Sequence, residues 1–134
     1  MHLISRIIFA IGFSVLLGFP LSGSWALDLS DKAALQAAMQ LHIDRNLVDG
    51  SYLHLQPENG EVRRLQPVTP HPMIMKIGQY FVLCFDFRDA KGKAVEIDFY
   101  LARRNRSFFV FHVAIEDRAM FKRLMKAGKI ERAG

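Results

Sequence analysis

Two hydrophobic periods divide the chain. Between Ser30 and Leu47, apolar side chains recur at every fourth position (Leu35, Met39, Ile43, Leu47), with Ala34, Ala38 and His42 beside them. Residues at that spacing stack on one face of an α-helix. The pattern predicts an amphipathic helix of about four turns, capped by Ser30 and ended by Asp49-Gly50, where glycine takes the left-handed conformation helix termini use. From Ser51 to Glu116 the period falls to two, which is the signature of strands with one face buried.

The first two strands, "SYLHLQ" and "EVRRLQP", read as a hairpin closed by the three-residue loop Glu58-Asn59-Gly60, with Leu55 opposite Arg63 and Leu53 opposite Leu65. "VTPHPM" carries two prolines and reads as a stiff linker or an edge, since proline cannot donate to a central ladder. Three stronger strands follow. They turn Phe81, Leu83, Phe85 and Phe87, then Val95, Ile97, Phe99 and Leu101, then Phe109, Phe111, Val113 and Ile115 to one side, where the first helix is the available cover. "DAKGK" closes the first of these turns with Gly92 in the special position, and "RRNRS" closes the second. Beyond Glu116, Met120, Phe121, Leu124 and Met125 interleave with Arg118, Lys122, Arg123, Lys126 and Lys129, which predicts a short basic helix ending near Gly128 and a frayed tail.

The expected fold class is α+β: an N-terminal amphipathic helix packed on a curved antiparallel sheet of four to five strands, with a short C-terminal basic helix. This element order resembles the cystatin-like and NTF2-like folds. The run "HPMI…GQYFVLCFDFRDAKGKAVEIDFYLA" also resembles bacterial exported proteins, a likeness that implies export but no activity.

Composition fits one domain: 51% of the 134 residues are hydrophobic and the formal net charge is +5. The first 26 residues stand apart. Arg6 precedes the apolar run Ile7 to Leu21, and Ser24 and Ala26 supply the small-x-small spacing of a signal-peptidase site, so residues 1–26 read as a signal peptide cleaved after Ala26. The run is short for a membrane anchor and is broken by Pro20. Residues 27–134 are then a single domain, expected in the periplasm. With one cysteine, no disulfide closes within the chain.

The candidate chemistry lies on the face opposite the apolar one, where the alternation places Tyr80, Cys84, Asp86, Asp98, Tyr100, Phe108, Val110 and His112. The registers implied by the turns align Cys84, Asp98 and His112 in one row. A thiol relay needs histidine in the middle, whereas here the carboxylate occupies it and raises the thiol pKa. Cys84 therefore reads as structural, Asp98 with His112 as a cross-strand ion pair, and no catalytic residue is assigned. His42, His54, His71 and His112 show no HxH or HExxH spacing, so neither a metal nor a cofactor is expected. The basic segment 118–134 is expected to lay its apolar side on the sheet edge, with membrane contact as the secondary reading. The modest charge and core-facing aromatics argue against nucleic acid.

The outer face is too apolar for a wet surface and too polar for a sealed core. The leading expectation is a non-enzymatic periplasmic module that uses this face for homodimer formation or to bind a periplasmic protein partner. The alternative is a small-ligand-binding or hydrolytic NTF2-like domain with Asp98, His112 and Tyr100 as its polar groups.

Overall fold

The structure is a computed structural model describing residues 27–133. The expected signal peptide therefore lies outside the described residues. Helix α1, Leu29–Arg45, buries Leu35, Met39 and Ile43 at the predicted four-residue spacing. Its N-cap is Asp28, not Ser30: the Asp28 carboxylate accepts the Asp31 N–H at 2.6 Å. The helix also ends earlier than expected, at Asn46, whose side chain donates to the His42 carbonyl at 2.7 Å. Asp49 and Gly50 both take positive φ, 50° and 73°, and form the tight turn between β1, Leu47–Val48, and β2, Ser51–Leu55. An Asp-Gly pair with that geometry favours a hairpin, so the expected helix stop is a hairpin turn instead.

The next hairpin differs by one residue from expectation, with large consequences. Gln56 pairs with Glu61, so the loop is Pro57 to Gly60, four residues and not three. The register becomes Leu55 opposite Val62 and Tyr52 opposite Leu65. A one-residue slip exchanges the two faces of a strand. Tyr52 consequently packs in the core, while Leu53 and Leu55 face solvent.

Strand β3, Val62–Ile77, absorbs the segment expected to be a linker or edge. It pairs with β2 through Leu65, with β4, Tyr80–Arg88, along most of its length, and with β7, Ile130–Arg132, only from Met75 to Ile77. Pro67, Pro70 and Pro72 fall in the stretch flanked by β4 alone, where register shifts at Pro67/Thr69 and Pro70/Ile74 spare them ladder donors. The segment is thus an edge on one side and not a linker.

Strands β4 and β5, Ala94–Arg104, join through Ala90-Lys91-Gly92 with Gly92 at φ 80°, and Cys84 faces Asp98 as the sequence implied. The turn to β6, Ser107–Ile115, is the two-residue Asn105-Arg106, and a bulge follows between the pairs Tyr100/His112 and Leu101/Val110. Phe111 is the extra residue. The turn and bulge together bring Phe108 and Val110 to the helix side and leave Phe111 about half exposed on the other.

The sheet has seven strands, ordered β1 to β6 with β7 beside β3, more than the four to five expected. One face packs under α1 around Phe85, Phe87, Ile97, Phe99 and Leu101. Burying side chains of this size contributes about 1.5–3 kcal/mol each. The opposite face is also covered. Helix α2, Arg118–Lys126, places Phe121 against Val82, Tyr100 and Ala114, flanked by Met120 and Leu124. Glu116, at φ 55°, reverses the chain into it. The expected frayed tail is ordered: after Gly128, Ile130–Arg132 forms β7 and buries Ile130 in the same cluster. The chain is therefore α+β with a helix on each face of a mostly antiparallel sheet.

Candidate functional site

The polar centre of the outer face is built on Asp98. It points from the middle of β5 into the α2 side and is 2% exposed. A buried carboxylate requires a cation, and Arg118, the first residue of α2, supplies it. Arg118 Nη1 donates to both Asp98 oxygens at 2.9 and 3.0 Å, and its Nε lies 3.2 Å from Glu96 Oε2. The guanidinium also sits 4.6 Å from the centre of the Phe121 ring. One residue thus joins the sheet carboxylates to the helix that covers them.

Cys84 lies beside this pair. Its thiol donates to Glu96 Oε1 at 3.8 Å, and Arg118 Nη1 is 4.0 Å from its sulfur. Burial, and after it the charges of Asp98 and Glu96, push the Cys84 thiol far above its ordinary range, against a smaller opposing effect of Arg118. A thiol so placed is a poor nucleophile at neutral pH.

The row expected from the sequence is interrupted. Asp98 faces Ala114, and His112 faces Tyr100, against which its ring packs at 5.3 Å. The turn at Asn105-Arg106 and the bulge at Phe111, one position each, carry His112 two positions away from Asp98, so the expected Asp98–His112 ion pair is replaced by Asp98–Arg118. Tyr100 is buried beneath α2 with a hydroxyl that has no partner among the described residues. Tyr80 remains partly exposed and packs on Phe111 at 5.2 Å. Phe108 and Val110, expected on this face, belong to the core under α1.

Asp86 stays on the outer face and holds His71 Nε2 at 2.9 Å. The geometry also gathers residues that no sequence spacing flagged. A ring nitrogen of His71, the Cys84 sulfur and a Glu96 carboxylate oxygen lie within 4.8 Å of one another. They border two depressions. One, of about 200 Å³, runs under α2. The other, about 650 Å³ and more open, is floored by Thr69, Asp86 and Glu96, with Arg118 shared between them. Glu116 on its rim is held by Arg63 at 2.6 Å. The sequence context places Arg118 on a short basic helix at the sheet edge and gives it no partner. The signal that could have found it is Asp98 itself, a carboxylate inside the apolar run "VEIDFYL" that must acquire a cation.

The outer face carries a second feature. Leu55 and Val62 face each other across β2 and β3 and are 61% and 57% exposed, with Leu53 two positions along and Val48 on the neighbouring strand. Arg64 and Asp49, 3.9 Å apart, lie at the rim of this aliphatic patch. No helix among the described residues is long and apolar enough to cross a membrane. Neither the family models, the curated proteins nor the solved structures compared with this chain match it.

Proposed function

We propose that the chain is a non-enzymatic interaction module of the periplasm, exported by its N-terminal segment and of the cystatin-like or NTF2-like type, that associates through the outer face of its sheet. The observation that carries this reading is the exposed aliphatic patch of Leu53, Leu55 and Val62. Aliphatic side chains contiguous on a strand pair and left in water mark a surface that another protein covers. Of the residues first expected to serve, Asp98 and Tyr100 lie beneath α2 and Phe108 and Val110 beneath α1, Tyr80 and His112 stay exposed, and the aliphatic surface lies on the β2–β3 hairpin.

A second copy of the chain is the partner this reading favours. Arg64 and Asp49 pair with each other within the chain at 3.9 Å, so the patch presents no uncompensated charge to repel its own copy. Light scattering across a concentration series tests this. The mass should rise toward that of a dimer, and Leu55→Lys with Val62→Lys should hold it at the monomer. A chain that stays monomeric at all concentrations contradicts self-association.

The catalytic alternative has less support. Asp98 is locked by Arg118, His112 is displaced from it, His71 is held by Asp86, and burial with two neighbouring carboxylates disfavours the thiolate of Cys84. A hydrolytic site would need one of these groups free to transfer a proton.

A further inference from the structure

The segment His71-Pro72-Met73-Ile74-Met75 places an imidazole and two thioethers at alternate positions of β3, and all three line the 200 Å³ pocket. Cys84 reaches the same pocket from β4 and Met125 from α2. Three separate elements thus bring one thiol, one imidazole and three thioethers to a single depression. Thioethers are weak donors that hard cations and zinc pass over, whereas thiolate and thioether together select soft ions.

The surroundings also orient the imidazole. Asp86 holds Nε2 of His71, which leaves the Nδ1 lone pair as the available one, an arrangement that fixes the ring of a metal-binding histidine. Arg118 supplies one positive charge to the two carboxylates Asp98 and Glu96, so the choice of a soft ion rests on the thiol and the three thioethers and not on the charge of the site. Met73 and Met125 are 46% and 44% exposed at the mouth, which gives an ion a path in.

We propose that His71, Cys84, Met73, Met75 and Met125 form a binding site for a soft monovalent metal ion of the Cu(I) class. Binding forms a metal–sulfur bond at Cys84 and sends the thiol proton to solvent, and the ion enters and stays as Cu(I), with no change of oxidation state. The site goes beyond association through the hairpin, from which it is separate.

The test is an anaerobic titration of protein purified after expression of the full chain, with Cu(I) supplied from a chromophoric Cu(I) chelator and Ag(I) as a redox-inert counterpart. The expected result is about one ion per chain with about one proton released. Cys84→Ser should weaken binding by more than about 100-fold, and Met73→Leu or Met125→Leu by about tenfold each. Met73→Leu, at an exposed position, leaves the fold intact, so its effect decides the matter where Cys84→Ser fails to fold. Failure of the protein to compete with the chelator overturns the proposal, as does unchanged binding in either the cysteine or the methionine variants. Zn(II) binding as tight as Cu(I), indifferent to Met73→Leu, would overturn it too, marking a divalent His71–Cys84–Glu96 site.

Discussion

Replacing Arg118 by leucine should destabilise the chain more than any other surface-helix substitution in it. The arginine holds the carboxylate of Asp98, which is 2% exposed, through two hydrogen bonds at 2.9 and 3.0 Å. Removing one partner of a buried ion pair costs about 3–5 kcal/mol because the other charge remains uncompensated. The guanidinium is one-third exposed, so water reaches part of the vacated space and the lower end applies. Loss of the contact with the Phe121 ring adds about 0.5–1 kcal/mol. The total is about 3–4 kcal/mol, a large part of the roughly 5–15 kcal/mol typical of a domain. At about 4–8 °C per kcal/mol, Tm should fall by at least about 12 °C. Urea unfolding of wild type, Arg118→Leu, Asp98→Asn and the double variant measures this, and the double variant should recover part of the loss because no buried charge is stranded. A loss below about 1 kcal/mol for Arg118→Leu, the range of exposed pairs, would refute the reasoning and place Asp98 in water.

Other expectations follow from single positions. Phe99→Ala, at the fully buried centre of the sheet, should cost about 3–5 kcal/mol in the same assay. Gly92→Ala meets no atom within 4 Å, so its cost of about 1–2 kcal/mol comes from the backbone at φ 80° alone, and Asn105→Gly, where the native residue has φ 57°, should cost nothing comparable. Burial lowers the pKa of His42, whose ring lies 3.1 Å from the Tyr52 hydroxyl. The folded state therefore resists a proton that the unfolded chain accepts near pH 6.5, and stability should fall as pH drops below about 6.5. His42→Gln should flatten that part of a stability–pH curve. Cys84 should react with iodoacetamide at pH 7 more than about tenfold slower than free cysteine, and faster as pH rises.

The strongest alternations were readable as they stand. In β4 and β5 large side chains occupy one face without a break, and Gly92 fixes the turn, so the pairing of Cys84 with Asp98 follows from pattern alone. The hairpin before them was not readable, because the alternation in "SYLHLQ" favours the side of Leu53 and Leu55 over that of Tyr52, His54 and Gln56, and Gly60 suits a loop of three or four residues equally. A three-residue loop sets Leu53 against Leu65, whereas the four-residue loop sets Tyr52 there and leaves Leu53 and Leu55 in the exposed patch on which the proposed association rests. "FFVFHVAI" is ambiguous too, and a bulge inside a strand apolar on both faces leaves no mark in its period. The candidate site suffered most from the tail. A basic amphipathic segment shows which side is apolar but not which surface it will cover, and only the fold reveals that α2 crosses the outer face and sets Arg118 on Asp98. The soft donors were visible as residues; Met73, Met75 and Met125 had no assigned partner until β3, β4 and α2 met.

The most direct test of association through the β2–β3 hairpin is amide chemical shift mapping of isotopically labelled protein as it is concentrated. Shifts should move at Val48, Leu53, Leu55, Val62 and Arg64 and stay fixed around Tyr80 and Phe111. Shifts that remain constant throughout, or that cluster on Tyr80 and Phe111 instead, would contradict the assignment of the hairpin face to binding.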